Sequence, residues 1–259
     1  NLLDKIRKRF YDEGYLSPSC VKDYMDCSLR FYFKYLANIK QLTTYSENIG
    51  KPEFGKITHN ALELVYNDVL NNKKENVIEK NDFLKIKAGI SGSISKVIKK
   101  HFRLNNKNEF VPEGNNIILI EIIKDYMNKV ISFDEKHAPF KILNLEGDKK
   151  SGFIKKYNLS KKNKVNISGF IDRIDEKNNK IRIIDYKTGG DSRISKDIKS
   201  LFSNEKKERN DAVFQLLFYS LLVKNSRDKC LSITPGLINI RHVKNRISDI
   251  RLIINKKKK

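Results

Sequence analysis

Cysteine is scarce in this 259-residue chain, and tryptophan and long apolar runs are missing. The cysteines Cys20, Cys27 and Cys230 form no Cys-x-x-Cys pair, so the sequence does not predict a zinc ribbon. Their odd number and the lack of a secretion signal favour free thiols in a reducing cytoplasm. No apolar run approaches the roughly 20 residues that span a bilayer, so we expect no membrane partner.

Acidic residues are few relative to basic ones. The chain has 53 lysines and arginines against 31 aspartates and glutamates, a net charge of +22. Such a charge favours a polyanionic partner, and nucleic acid is the leading candidate. Part of the charge has a second explanation, because lysine, like the abundant asparagine and isoleucine, has A/T-rich codons. Charge alone therefore does not predict an enzyme.

Apolar periodicity predicts a helical first half and a strand-rich second half. Helices are predicted at 17–36, 54–70, 82–102, 116–132 and 208–224, with a loop at 40–52 and a polar connector at 71–82. Strands are predicted at 140–147, 164–175, 180–189, 236–243 and 249–255. We expect a single domain over 1–259, mainly helical over 1–135 and with a sheet core over 136–259. Because the first residue is Asn1, we also expect this domain to be excised from a longer protein.

Two of the predicted strands place acids opposite each other. A two-residue turn at Asn178-Asn179, which tolerates positive φ, joins them into a hairpin whose paired residue numbers sum to 357. Asp172 then lies opposite Asp185, and Lys187 shares the face of Asp185 because side chains alternate along a strand.

Facing carboxylates repel each other, so something must offset their charge. Mg²⁺ would do so, since it binds a few carboxylate oxygens and leaves the rest of its shell for water and phosphate. Lys187 could then orient a water or stabilise charge on phosphorus. The alternative is that Arg173, Arg182 and Lys187 only pair with the acids on the surface.

The segment "GFIDRID", followed by "IIDYKTG", resembles the core motif of the PD-(D/E)XK nuclease superfamily, and more closely the RecB-like and AddB-like nuclease domains. Three further segments agree. "FGKITHNALE" resembles the family's Gly-x-x-x-His-x-x-Leu-Glu helix, "QLLFY" its Gln-x-x-x-Tyr helix, and "LSPSCVKDYMDCSLRFYFKYL" its N-terminal segment. The four stand in family order from residue 16 to about 219.

The resemblance implies a restriction-endonuclease-like α/β core, a central mixed sheet flanked by helices. It implies a Mg²⁺ or Mn²⁺ site whose ligands are His59, Asp172, Asp185 and the carbonyl of Tyr186. It assigns Lys187 to water positioning and transition-state charge. A lone histidine on an amphipathic helix is more often structural, and the flanking motif is what favours a ligand here.

Three more residues match the motifs. Glu63 lies one helical turn after His59 and would orient it or hold a metal-bound water, unless it is a surface acid paired with a lysine. Gln215 would contact the active-site strand or the DNA backbone. Tyr219 would join it, although simple core packing with a satisfied hydroxyl is the alternative.

Some relatives hold an iron–sulfur cluster on four cysteines. Here Cys27 matches the first cysteine, but only Cys230 follows the Gln-x-x-x-Tyr helix, so no cluster is expected. Cys20 and Cys27 are instead expected to be buried small hydrophobes. The "RFYFKY" stretch after them interleaves cations with aromatics, as suits single-stranded DNA, but we expect at least two of its four rings to pack inward.

The sequence therefore predicts a metal-dependent deoxyribonuclease, expected to be an exonuclease. The resemblance implies a role in recombination and repair, acting on single-stranded or duplex DNA ends in the nucleoid of the cytoplasm, with a helicase subunit or domain as partner. A non-catalytic DNA-binding module of the same fold is the main alternative. A basic protein that binds RNA or an acidic protein is the other, although binding alone would not need clustered acids.

Overall fold

The computed structural model describes residues 1–12, 14–39, 49–102, 112–145, 153–158, 164–189, 194–224, 232–240, 248–249 and 251–252. These residues form seven α-helices: α1 (Leu2–Arg7), α2 (Pro18–Asp26), α3 (Ser28–Phe31), α4 (Lys51–Leu70), α5 (Asp82–His101), α6 (Asn115–His137) and α7 (Asp211–Lys224). Short π-helical segments cover Lys8–Asp12 and Tyr32–Leu36, and a 3-10 helix covers Lys199–Phe202. No helix in this part of the chain is long and apolar enough to cross a membrane.

The strands are short and fall into three sheets. They are β1 (Val77–Ile78), β2 (Phe140–Leu145), β3 (Phe153–Asn158), β4 (Lys164–Gly169), β5 (Arg173–Lys177), β6 (Lys180–Lys187), β7 (Ile194–Ser195), β8 (Ser232–Asn239), β9 (Ser248–Asp249) and β10 (Arg251–Leu252). The main sheet has six strands in the order β1-β2-β5-β6-β8-β9, and β3-β4 and β7-β10 form two small sheets. In the main sheet β6 and β8 run parallel while the other pairs are antiparallel, so the sheet is mixed, as predicted.

Helices cover both faces of the main sheet. On one face, Tyr186 of β6 joins the apolar cluster of α4, α5 and α6, and on the other Ile183 packs with Leu216 of α7. Side chains alternate along a strand, so Asp185 and Lys187 share the α7 face with Ile183. The expected architecture of a sheet flanked by helices is confirmed, and the end of β6 lies between two helical layers.

The hairpin of β5 and β6 has the predicted register. Arg173 pairs with Ile184 and Lys177 with Lys180, so the paired numbers sum to 357. Asn178 and Asn179 have φ of 51° and 58°, the positive values that a type I′ turn requires and that asparagine tolerates. The turn chemistry thus sets which residues of β5 face which residues of β6.

The first predicted helix is interrupted. Helix α2 ends at Asp26, and Cys27 has extended backbone (φ −164°, ψ 110°) with its Sγ accepting a hydrogen bond from the Arg30 amide at 3.4 Å. Cys27 therefore caps α3 and is exposed, so its expected burial was wrong. Cys20 is 1% exposed, as predicted, and burial raises the pKa of its thiol to about 11. Cys230 lies outside the described residues.

Other differences concern ends and short strands. Helix α4 begins at Lys51 because Pro52 fits the first turn, where its missing N–H is not needed. The connector at 71–82 contains β1, which pairs with β2. The strand predicted at 164–175 is two strands, since β4 pairs with the unpredicted β3 and β5 with β2.

Candidate active site

Asp172 and Asp185 lie side by side where the hairpin ladder ends. Asp172 stands at a bend one residue before β5, and its Oδ2 accepts a hydrogen bond from the backbone amide of Tyr186 at 2.7 Å. Asp185 is buried, with 3% of its surface exposed. The two acids therefore lie close together, as predicted. The side chain of Asp172 continues the hydrogen bonding between β5 and β6 by one residue.

The environment moves the two carboxyl pKa values in opposite directions. Burial raises the pKa of Asp185 to about 6, the negative charge of Asp172 adds to the rise, and Lys187 opposes it. Burial would also raise the pKa of Asp172, but the charge of His59, its hydrogen bond and the Tyr186 amide together hold that pKa below its ordinary value. At Asp185, burial and the negative charge of Asp172 thus outweigh the positive charge of Lys187.

Lys187 links Asp185 to helix α7. Its Nζ forms an ion pair with Oδ2 of Asp185 at 2.9 Å. The same Nζ donates to Oε1 of Gln215 at 2.8 Å. Gln215 Nε2 in turn donates to the hydroxyl of Tyr219 at 2.7 Å, one helical turn further along. The contact expected between Gln215 and the active-site strand is therefore made through Lys187.

Gly169 makes room for this chain of contacts. A Cβ added at Gly169, the last residue of β4, would lie 2.6 Å from Cε1 of Tyr219 and 3.0 Å from Cδ1 of Leu222. Tyr219 is 4% exposed and packs in the core, so its ring has little freedom to move. Core packing and a contact with Gln215 were the two alternatives for Tyr219, and the structure shows both. Gly169 was not singled out from the sequence, where only its place in a strand hinted at a close approach.

His59 approaches Asp172 from α4. Its Nδ1 is 3.3 Å from Oδ1 of Asp172, and its ring meets that of Tyr186 edge to face with centroids 5.9 Å apart. Glu63 lies one turn later and accepts a hydrogen bond from Asn67 Nδ2 at 3.3 Å. His59, Glu63, Asp172 and Tyr186 together line a small pocket of about 10 Å³, on the scale of one water.

A buried ionic network supports the hairpin directly behind the two acids. Arg173 is 0% exposed and donates to both oxygens of Asp134 on α6, at 2.6 and 2.8 Å. Tyr66 of α4 donates to the same carboxylate at 2.6 Å, and Asp175 lies 3.1 Å from Arg173 Nε. The network ties β5 to two helices next to Asp172. Sequence reasoning missed it, because Asp134 is far from the hairpin along the chain.

The two arginines do not pair with Asp172 and Asp185, as the alternative of simple surface pairing would require. Arg182 holds Asp175 through two hydrogen bonds of 2.6 and 2.7 Å, and Arg173 holds Asp134 and Asp175 in the interior. Neither is among the partners of Asp172 and Asp185, whereas Lys187 does pair with Asp185. Of the pairs in that alternative, only the one between Lys187 and Asp185 is present.

A model of the PD-(D/E)XK nuclease superfamily matches residues 15–249. The chain belongs to this superfamily. No curated protein gives a significant sequence match. The matched range includes every motif residue from the N-terminal segment to the Gln-x-x-x-Tyr helix, so the nuclease fold of the superfamily applies to this chain. Nucleases of this superfamily typically use divalent metals.

The PD-(D/E)XK site has oxygen donors suited to such a metal. The carboxylates of Asp172 and Asp185 are the hard ligands that Mg²⁺ and Mn²⁺ take, and the buried Oδ2 of Asp185 has, among the described residues, no partner beyond its ion pair with Lys187. Within the described ranges, no three His, Cys, Asp or Glu side chains are grouped closely enough to hold one ion. The two carboxylates therefore fit a metal, and the additional ligation by His59 and the Tyr186 carbonyl stays a prediction.

Proposed function

We propose that this protein is a metal-dependent deoxyribonuclease that hydrolyses phosphodiester bonds with Mg²⁺ or Mn²⁺. The observation that carries the proposal is the meeting of Asp172, Asp185 and Lys187 at the end of the hairpin. Two buried acids with one lysine are costly to bring together for structure alone, because the acids repel each other and only part of their charge is compensated. A phosphodiester with a divalent cation would complete the charge balance.

Each residue has a role that its contacts suit. Asp172 and Asp185 would hold the metal, with Tyr186 contributing its carbonyl. When bound, the ion supplies Lewis-acid polarisation of the phosphodiester and a more acidic water. Lys187 Nζ would place that water or neutralise charge on the phosphate oxygens. Gln215 fixes Lys187 from α7, since it accepts from Nζ at 2.8 Å.

His59 and Glu63 would complete the site from α4. His59 Nδ1 faces Asp172 at 3.3 Å, and a neutral imidazole there would either ligate the metal or orient the Asp172 carboxylate. Glu63 lines the same small pocket and would accept a hydrogen bond from a metal-bound water. Both roles depend on the same small pocket.

We also propose that the domain belongs to the RecB-like and AddB-like group and acts in recombination and repair. The support is the ordered set of four motifs, since each motif is weak alone and their combination in family order is strong. The substrate would be a DNA end in the nucleoid, presented by a helicase subunit or domain. The net charge of +22 suits a partner of high negative charge.

The test is a cleavage assay on linear single-stranded and duplex DNA with Mg²⁺ or Mn²⁺. Wild type, Asp185→Ala and an EDTA control are compared with Asp68→Ala, an acid on α4 that is 49% exposed. We expect cleavage by wild type and Asp68→Ala only. Binding without cleavage by wild type and Asp185→Ala alike would contradict the proposal and favour a DNA-binding module of the same fold.

A further inference from the structure

One side of helix α4 leads from solvent to the candidate active site. Residues spaced four apart share a helix side, and on this side of α4 they are Lys51, Gly55, His59 and Glu63. His59 and Glu63 line the small pocket beside Asp172, whereas Lys51 in the first turn is exposed. Gly55 lies one helical turn, or about 6 Å, outward from His59. The path along α4 to the site therefore crosses a glycine.

The fold itself does not require Gly55. Glycine is less favourable than alanine inside a helix, because it loses more backbone freedom on folding. Beyond the neighbouring backbone, and among the described residues, the only atom within 4 Å of a Cβ added at Gly55 is Oγ1 of Thr188 at 3.5 Å, an ordinary contact. Gly89 of α5 differs, since its added Cβ would lie 3.0 Å from Cγ2 of Val65. Packing thus explains Gly89 but not Gly55.

Thr188 faces Gly55 from the end of β6. It directly follows Lys187, which contacts Gln215 on the α7 side of the sheet, whereas the Thr188 hydroxyl lies on the α4 side. Gly55 and Thr188 are both half-exposed. A helix position without a side chain and a hydroxyl on the strand therefore border one gap, and the exposed Lys51 lies one helical turn further out.

The position of Gly55 indicates what the gap is for. Glycine is used where a ligand must approach the backbone closely. Open space alone is not sufficient, because Gly92 of α5 also has open space around its added Cβ but lies on a helix that does not line the small pocket. Gly55 is next to the site, and a nucleic-acid strand continues on both sides of the phosphate that reacts. One of those sides has to leave the site past its rim.

We propose that the DNA backbone next to the cleaved bond passes between Gly55 and Thr188. The missing side chain of Gly55 lets the sugar–phosphate chain approach α4, and the Thr188 hydroxyl donates a hydrogen bond to a phosphate oxygen. Lys51 neutralises a phosphate further out. Such contacts position a strand without reading its sequence. The proposal rests on the proposed function in that DNA is the polymer and Asp172 and Asp185 mark where it is cut.

The first test measures DNA binding in EDTA, by fluorescence polarisation of a labelled oligonucleotide at an ionic strength of about 0.15 M. Gly55→Ala places a methyl group in the path and should weaken binding at least about 5-fold. Its Tm should equal or exceed that of wild type, because alanine favours a helix. Gly92→Ala is the matched control, which should share the effect on Tm and bind DNA as wild type does.

The second test concerns the other side of the path. Thr188→Val keeps the shape of the side chain and removes its hydroxyl, so it should also weaken DNA binding. In the double variant Gly55→Ala/Thr188→Val the loss should be smaller than the two single losses combined, because both residues serve the same stretch of backbone and a contact can be lost only once.

Three results would overturn the inference. Unchanged DNA binding by Gly55→Ala is the first. A lower Tm of Gly55→Ala than of wild type is the second, since the fold itself would then require the glycine. Fully additive losses in the double variant are the third. Failure of the proposed function looks different: DNA binding still depends on Gly55 and Thr188, but wild type cleaves no DNA with Mg²⁺ or Mn²⁺.

Discussion

Asp172 Oδ2 accepts a hydrogen bond from the backbone amide of Tyr186 at 2.7 Å, so the carboxylate is held one residue beyond the last paired residue of the hairpin. The paired residues end at Arg173 and Ile184, and the next pair in register would be Asp172 and Asp185. A side-chain acceptor there fixes Asp172 against the strand that carries Asp185. The repulsion between the two acids is therefore built into the strand register, and the stability of the metal-free protein should reflect it.

The first prediction is that Asp185→Asn stabilises the metal-free protein at neutral pH while abolishing cleavage. Burial, then Asp172, raises the pKa of Asp185 to about 6, above its unfolded value of about 3.9. The folded state thus binds more protons between those values, and stability falls as pH rises through that window. The free energy of unfolding of Asp185→Asn should equal that of wild type below about pH 4 and exceed it by on the order of 1–3 kcal/mol above about pH 6.

The measurement is Tm against pH in EDTA. Asp172→Asn is the matched variant, because the pKa of Asp172 is shifted downward, and its Tm at neutral pH should fall instead of rising. Equal shifts of the same sign for the two variants would show that the acids do not differ in environment as described.

The second prediction concerns Lys187. Lys187→Ala should keep the fold, since its side chain is 23% exposed, but lose about 100-fold or more in cleavage rate, as for a preorganised charge aimed at the transition state. Lys180→Ala is the control, an exposed lysine at the other end of the same strand. Single-turnover rates with saturating DNA separate the rate from binding. Similar rates for the two variants would remove Lys187 from the mechanism.

How far the sequence predicts the site depends on the range of the interactions. The hairpin register follows from Asn178 and Asn179, because a two-residue turn with positive φ fixes all pairs that follow. The break at Cys27 did not follow, since it is a local cap on the Arg30 amide that apolar periodicity does not detect. The strand β1 did not follow, since it forms by pairing with β2, which is distant along the chain. The burial of Arg173 could not be predicted either, because an arginine is rarely buried unless it is paired, and its partner Asp134 lies on α6, distant along the chain.

The third prediction is that Gly169→Ala disturbs catalysis from a distance. The new Cβ would meet Tyr219 Cε1 at 2.6 Å, and shifting that ring moves Gln215, which holds Lys187. Overpacking should lower stability by about 1–3 kcal/mol and reduce the cleavage rate in a properly folded fraction. Gly92→Ala on α5 is the control, because no atom lies within 4 Å of its added Cβ.

Thermal unfolding and cleavage of the two glycine variants are compared. Gly92→Ala should be unchanged or more stable by about 0.5–1 kcal/mol, since alanine favours a helix. An active and fully stable Gly169→Ala would mean that Tyr219 can move without effect on Lys187.

The last prediction tests the buried network behind the site. Asp134→Asn should destabilise the protein by about 3–5 kcal/mol, because it leaves Arg173 buried without its two-oxygen partner. The neighbouring Glu135→Gln is the matched control: its pair with Lys87 is 2.7 Å long but both side chains are 38% exposed, so the cost should stay below about 1 kcal/mol.

The network also predicts the acid limit of the fold. Burial would raise the pKa of Asp134, but the charge and hydrogen bonds of Arg173 hold it below its ordinary value. The folded pKa is thus below the unfolded one of about 3.9, so this stabilisation is complete above that pH and is lost as pH falls toward the folded value. Chemical denaturation at pH 7 and pH 3 should show the gap between wild type and Asp134→Asn narrowing in acid. A gap that is the same at both pH values would mean that Asp134 does not hold its charge through Arg173.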